Sequence, residues 1–445
     1  MMSEAADVIV IGAGAAGLAA ARVLAEAGSK VIVLEARGRI GGRIWTVHSM
    51  NGVPVEMGAE FVHGRSPAIF DCIAKGNIEV RESNGEQWIQ SDDQLERGKD
   101  FFSQVRVVLD KMESHGPDRS FAKHLEECCG DDEAACLWGL EYVEGFHGAL
   151  AERISVHSLA RSRQAEAQIE GGRSFRFVRG YDSLLKFLQN DLPSSLVSVH
   201  LSTVAHTVRW AGQRVTVEAQ TEAGPIEFTA ASAIVTLPLG VLQAPLEAHG
   251  AVRFDPELEE KTSPLALLYM GQTIRITMIF RDKWWEHEAI RNADPTALRD
   301  LAFVHSHQEW FPTWWTPGGE AAVLTGWAAS RRGERLSGRN GEFIRDKALR
   351  SLSALFGVPS QTLESELLSW HVHDWQSDPF SRGSYSYVGV GGEGAQAQLA
   401  APIANTLFFA GEATNSEGHH ATVHGAISSG ERAARELLAA RTRKP

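Results

Sequence analysis

The chain has little of what would place it outside the cell or in a membrane. Its 445 residues include only four cysteines, Cys72, Cys128, Cys129 and Cys136, without a CxxC pair or a His-rich metal spacing. Reduced thiols are therefore expected, and neither a disulfide framework nor a metal site. No segment approaches the ~20 uninterrupted apolar residues of a membrane span. The opening MMSEAAD lacks a basic n-region and an apolar h-region, so no cleaved signal is expected. Positive charge is in deficit: the formal net charge is −13, which disfavours a nucleic-acid partner. Internal repeats and low-complexity linkers are missing as well. The expectation is a cytoplasmic protein with neither membrane nor nucleic acid as partner, of undetermined oligomeric state.

What is present begins at residue 7. Asp7 to Ile11 is a short run of β-branched residues, a buried strand by pattern. It breaks at Gly12, Gly14 and Gly17, which fit G-x-G-x-x-G, and an Ala/Leu-rich stretch to Gly28 reads as a helix. Lys30 to Leu34 is a second buried strand, ending at Glu35. Gly12 permits the tight turn, Gly14 lets the backbone approach a pyrophosphate, and Gly17 lets the helix sit close on the sheet. Glu35, 18 residues after Gly17, is placed to accept hydrogen bonds from an adenosine ribose and would repel a 2′-phosphate.

Farther along, residues 100–170 read as largely helical, Val197 to Val217 as alternating strands, and Ala233–Leu237 and Asn405–Ala410 as buried strands before a closing helix. This order implies a nucleotide-binding domain assembled from residues 1–80, 195–260 and 395–445. A second domain, over 81–194 and 261–394, is inserted in it. Six tryptophans crowd 263–330: Trp284, Trp285, Trp310, Trp314, Trp315 and Trp327. Most are expected in the core, and one or two at a ligand.

Four further motifs carry a resemblance. Arg39–Arg43 reads R-x-G-G-R, Glu56–Gly64 reads E-x-G-A-x-x-x-H-G, Trp375–Val388 reads W-x-x-D-P-x-x-R-G-S-Y-S-Y-V, and Phe409–Thr414 with Ala421–Ala426 reads F-A-G-E-x-T then A-T-V-H-G-A. Together they resemble the flavin amine oxidases, in particular the polyamine oxidase and lysine-specific histone demethylase branch. The resemblance implies an α/β fold: a discontinuous Rossmann-type FAD-binding domain joined to an α+β substrate-binding domain. It implies non-covalent FAD, because Ser384 stands where monoamine oxidases carry the linking cysteine. Beside Gly12, Gly14, Gly17 and Glu35, it places Ala15, Ala36, Arg37, Gly42, Arg43, Gly58, Ala59, Val204, Trp375, Gly411, Glu412, Thr422 and Val423 at the cofactor. Arg37 and Arg39 have the competing reading of a solvated basic loop.

The implied reaction is hydride transfer from the amine α-carbon to flavin N5, with dioxygen re-oxidising the flavin to give peroxide. Tyr385, His63 and Thr422 are the implied substrate-facing residues. Arg275 stands where the family has a lysine, water-bridged to N5; arginine keeps the charge but cannot relay a proton. An arginine paired with an internal carboxylate is the competing reading. Glu60, Glu86 and Glu170 are candidates to meet a distal ammonium. Two other functions stay open: a flavin dehydrogenase or desaturase acting on a non-amine, and a catalytically silent flavin-holding protein.

Overall fold

The computed structural model describes residues 2–49, 52–91, 94–98, 101–130, 132–286 and 295–442. Five strands form its central sheet: β1 (Val8–Ile11), β2 (Val31–Leu34), β3 (Val197–His200), β4 (Ser232–Val235) and β5 (Leu407–Phe409). They lie in the order β3-β2-β1-β4-β5, all parallel. This is the doubly wound order of dinucleotide-binding folds. VIVI, VIVL and SAIV are buried along their whole lengths, as strands covered on both faces must be. Three distant stretches of chain thus build one sheet.

Four helices position the site: α1 (Ala15–Glu26), α2 (Glu133–Glu141), α3 (Val156–Gln168) and α4 (Val423–Thr442). The alanines of α1 let it approach the sheet and α4 closely; a Cβ on Gly430 of α4 would overlap the Ala16 carbonyl. The opposite face of the sheet is covered by an antiparallel layer, Val204–Ala211, Arg214–Thr221 and Gly224–Ala230.

A seven-stranded sheet forms the second unit. Its strand Thr273–Phe280 is buried at every position between Leu367–Asp374 and Val323–Ala329. Trp284, Trp285 and Trp314 fill its core. The helical block runs through α2 and α3, as the sequence pattern indicates.

One boundary differs from expectation. Phe175, Phe177, Tyr181, Leu184, Leu185 and Leu188 share a core with Val8 and Leu18, although the sequence pattern assigns residues up to 194 to the inserted domain. The apolar stripe of helix Asp182–Asn190 (Leu184, Leu185, Leu188) finds its cover on the nucleotide unit. Among the described residues all four cysteines are free, and no helix is long and apolar enough to cross a membrane.

Candidate active site

The turn after β1 shows why three glycines are spaced as they are. Gly12 adopts φ +110°. A Cβ on Gly17 would overlap the Gly12 carbonyl oxygen, so Gly17 is what docks α1 on the sheet. A Cβ on Gly14 would meet nothing nearer than the Gly41 carbonyl at 4.0 Å. Protein packing therefore does not require glycine at 14, and the space it leaves opens into a cavity. At the end of β2, Glu35 accepts from Ala13 N–H through Oε2 and from Arg37 N–H through Oε1, both at 2.9 Å. Burial raises its carboxyl above the usual range, while the two amides oppose that shift. Each oxygen keeps a second acceptor site.

The cavity encloses about 1050 Å³. Every residue expected at the cofactor or the reacting amine lines it except Gly17, whose role is packing. Arg43 donates through Nη1 to the Ser384 carbonyl and to Glu412 Oε1, both at 2.9 Å. Glu412 Oε2 accepts from Ser386 Oγ (2.6 Å) and Ala421 N (2.9 Å). Despite its burial, Arg43 and these donors hold the Glu412 carboxyl below its ordinary range. Both Glu412 oxygens are thus committed, and the residue acts by fixing Arg43 and the approach to α4. Arg37 is no solvated loop residue: it pairs with Asp378 at 2.6 Å and donates to Ser381 Oγ. Arg39, by contrast, donates to the carbonyls of Ile40, Gly42 and Ile44 and only braces the loop. Trp375 is anchored by Nε1 to the Met57 carbonyl, 2.8 Å. Thr422 caps α4, its Oγ1 accepting from Gly425 N at 3.0 Å, so a helix N-terminus opens at the cavity beside Val423.

On the substrate side, the Tyr385 hydroxyl donates to the Phe146 carbonyl (2.9 Å), and burial raises its pKa. The Ser384 hydroxyl donates to the Gly271 carbonyl at 2.8 Å. His63 lies within 3.3 Å of Ser174 Oγ. Burial pulls His63 and His305 down to about 4, and His147 and His424 to about 3. All four line the cavity, which therefore stays free of imidazolium charge near neutral pH. Of the six clustered tryptophans, Trp315 and Trp327 line it.

Arg275 lines the cavity and makes the internal carboxylate pair of its competing reading. Its Nη1 donates to the Gly58 carbonyl (2.8 Å), its Nη2 pairs with Glu60, and its guanidinium lies over the Trp315 ring. Glu60 also takes Arg176 (2.9 Å) and Trp315 Nε1 (3.1 Å). The arginine is thus part of a buried ion-pair cluster in the cavity wall.

The three carboxylates proposed for a distal ammonium are corrected by the same geometry. Glu60 is committed as described. Glu86 pairs with Arg97, and Glu170 with Arg173 at 2.7 Å; neither lines the cavity. Five glutamates do line it: Glu35, Glu60, Glu141, Glu166 and Glu412. Glu141 is bound to Arg332 at 2.8 Å. Of these five, Glu166 alone makes no hydrogen bond or ion pair with the described residues. Burial pushes its carboxyl up to about 7, and Arg163, the charge opposing that shift, is itself paired with Asp110. Sequence reading missed Glu166. Its signal was helical spacing: Ser162, Arg163, Glu166 and Ala167 share one face of α3 and line the cavity together. Glu170 lies past the end of α3 with φ +57° and turns away.

Comparison with known proteins agrees with this geometry. Residues 15–438 match the family model described as flavin containing amine oxidoreductase. The chain is 29% identical to polyamine oxidase 4 of Oryza sativa subsp. japonica, over 97% of this chain and 88% of that one. It is 28% identical to lysine-specific histone demethylase 2 of Homo sapiens, over 97% of this chain and 53% of the longer protein. Its fold matches putrescine oxidase bound to putrescine, with TM-score 0.81 and 20% identity over 98% of this chain and 100% of that one. Cyclohexylamine oxidase from Brevibacterium oxydans gives TM-score 0.78 and 18% identity, covering 98% and 100%.

Proposed function

The chain belongs to the flavin-containing amine oxidoreductases, and from that premise we propose that it oxidises polyamines or related amines bearing a second, distal ammonium. It is an enzyme, and its cofactor is FAD. The residues present fit that group: the unfilled space at Gly14, the ribose-competent Glu35, the Arg43 guanidinium and the N-terminus of α4 border one cavity. Gly411 repeats the Gly14 pattern, with φ +124° and no protein atom nearer than 4.0 Å to a built Cβ. Ser384 supports non-covalent attachment, since its hydroxyl cannot form a thioether.

Bound FAD supplies the hydride acceptor, and dioxygen is the proposed final one. The side chains prepare the amine. Neutral His63, His147 and His424 line the cavity and add no imidazolium charge to it. Their desolvated setting lowers the amine pKa and delivers the free base that hydride loss requires. Tyr385, pinned through its hydroxyl, lines the cavity and orients the nitrogen. Arg275 and Glu60 provide a rigid wall whose guanidinium cannot shed a proton.

The uncommitted Glu166 carboxylate carries the substrate reading. A second ammonium that reaches Glu166 gains a charge-assisted hydrogen bond, which a monoamine cannot make. Glu166→Gln should raise KM for butane-1,4-diamine or a triamine by about ten- to a hundredfold and leave n-butylamine within a few-fold. Equal effects on diamine and monoamine in a peroxide-coupled assay would refute the assignment. Burial raises the Glu166 carboxyl to about 7, so the anion forms as pH rises through that value. The diamine-to-monoamine ratio of kcat/KM should therefore rise across about one pH unit either side of it, and the Gln variant should flatten that profile.

A further inference from the structure

The Glu166 carboxylate is uncommitted although a cation stands beside it. Arg163 lies three residues earlier on α3, and side chains three apart on a helix are neighbours on one face. Both residues line the cavity. The guanidinium is nevertheless spent elsewhere: Arg163 Nη2 pairs with Asp110. Among the described residues Asp110 is the one carboxylate within ion-pair distance of Arg163.

Asp110 comes from a different part of the helical block. Its N–H donates to the Arg106 carbonyl at 2.8 Å, so it continues the last turn of helix Phe101–Leu109. Its side chain is 56% exposed and does not line the cavity, whereas Arg106, one turn earlier, does. On another side, α2 widens beyond Glu141 into a π turn over Tyr142–Phe146. Burial raises the hydroxyl of Tyr142 in that turn; the Glu166 charge adds to the shift and Arg163 opposes it. Tyr142 is therefore neutral and stands near both charges. The groups that govern the charge at Glu166 are thus Arg163, its partner Asp110 and neutral Tyr142, with Arg106 as a further cation of the cavity wall.

Two carboxylates compete for one guanidinium. At Asp110 the pair stays partly in water, where desolvation costs little. Without the Asp110 charge, the nearest anion on the same helix face is Glu166, three residues away. We propose that Asp110 is a positioning residue for substrate recognition: by holding Arg163 it leaves the Glu166 carboxylate free for the distal ammonium of the amine. This rests on the reading of Glu166 given above and adds the device that keeps that carboxylate available. Selectivity for a second ammonium is then set in part by a side chain outside the cavity.

The test measures peroxide release by FAD-loaded enzymes with butane-1,4-diamine and n-butylamine. Asp110→Asn keeps the shape of the side chain and removes its charge. Its KM for the diamine should rise about fivefold, with n-butylamine held within about twofold. Asp110→Glu keeps the charge and should stay close to wild type. The double variant Asp110→Asn/Arg163→Gln has no guanidinium to occupy Glu166, and its diamine KM should return to within about twofold of wild type. The pH profile supplies a readout that a merely structural role would not move. In Asp110→Asn the adjacent guanidinium favours the Glu166 anion, so the inflection in the diamine-to-monoamine ratio of kcat/KM should move about one unit to lower pH. The double variant should move it back. Asp110 is exposed, so these substitutions should leave the fold intact. Unchanged diamine KM and inflection in Asp110→Asn, or a double variant that does not recover, would overturn the role of Asp110; if Glu166→Gln still loses the diamine, the reading of Glu166 stands. If Glu166→Gln spares the diamine, that reading fails, and the proposal with it.

Discussion

Glu35 holds two backbone amides of its own unit, Ala13 and Arg37, at 2.9 Å each. It therefore orders the turn as well as facing the cavity. Glu35→Ala is expected to weaken FAD binding by about 1.5–3 kcal/mol, read by titrating FAD into the deflavinated variant. An unchanged dissociation constant would confine Glu35 to the turn. Arg275 gives a second residue-scale prediction, in which stability is the readout. Arg275→Met strips one cation from Glu60 and leaves Arg176 and Trp315 to hold it. Breaking a buried pair costs on the order of 3–5 kcal/mol, so the denaturant midpoint should drop with an unchanged slope. A variant of full stability whose flavin re-oxidises at an altered rate would instead return Arg275 to the chemistry. The sequence marks Arg275 as a departure from the lysine of similar enzymes. It does not reveal the partner, because Glu60 lies 215 residues away in the chain.

Elements behave differently from the residues they carry. The G-x-G-x-x-G turn was legible because its spacing is local: strand, turn and helix follow one another, and each glycine has a steric reason. Those reasons separate two variants of equal size. Gly17→Ala puts a methyl into the Gly12 carbonyl and should impair docking of α1, seen as low soluble yield or a clearly lowered Tm without flavin. Gly14→Ala meets only open space. It should fold with a near wild-type Tm in the deflavinated form, yet lose FAD. If Gly14→Ala retains FAD at wild-type affinity, the open space at 14 is not the cofactor's. The π turn after α2 was not legible. One added residue in LEYVEGFHG changes neither composition nor apolar period enough to mark it, and its stabilising donors, Trp327 and Tyr385, come from far along the chain.

At the scale of the whole molecule, buried titratable groups shape the response to acid. Glu56, Glu144 and Glu166 are raised from 4.5 to about 7, chiefly by burial. The stability they contribute is full below 4.5 and is lost as pH rises through 7. His63, His305, His147 and His424 run the other way. The unfolded chain binds their protons below about 6.5, while the native state refuses them until about 3 to 4. Their effect is a loss of stability as pH falls. Burial lowers His124, His371, His419 and His420 as well, so between 6.5 and 4.5 the histidines outweigh the raised carboxyls. Below 4.5 Glu60 and Glu412, whose pKa values are lowered, remove stability in the same direction. Tm should therefore decline from about pH 6.5 and fall more steeply below 4.5. Scanning calorimetry across that range checks this; a Tm that is flat or rises between 6.5 and 4.5 would show that the raised carboxyls offset the histidines.

The sequence by itself determined the central strands, the nucleotide turn, the family resemblance and a set of expected cofactor residues that line one cavity. Each is written in local spacing: β-branched runs, glycines at fixed offsets, short motifs whose members are neighbours in the chain. Only the tertiary structure decided which charges are spent and which are free. Glu60, Glu166 and Glu170 are indistinguishable as letters, yet one is bound by two arginines and a tryptophan, one faces the cavity without a partner, and one turns away past a helix end. Tertiary packing likewise moved helix Asp182–Asn190 into the nucleotide core and tied Phe146 to Tyr385. The physical reason is common to these cases. Whether a charge is paired and whether an apolar stripe is covered depend on neighbours brought together by folding, and chain spacing does not encode them.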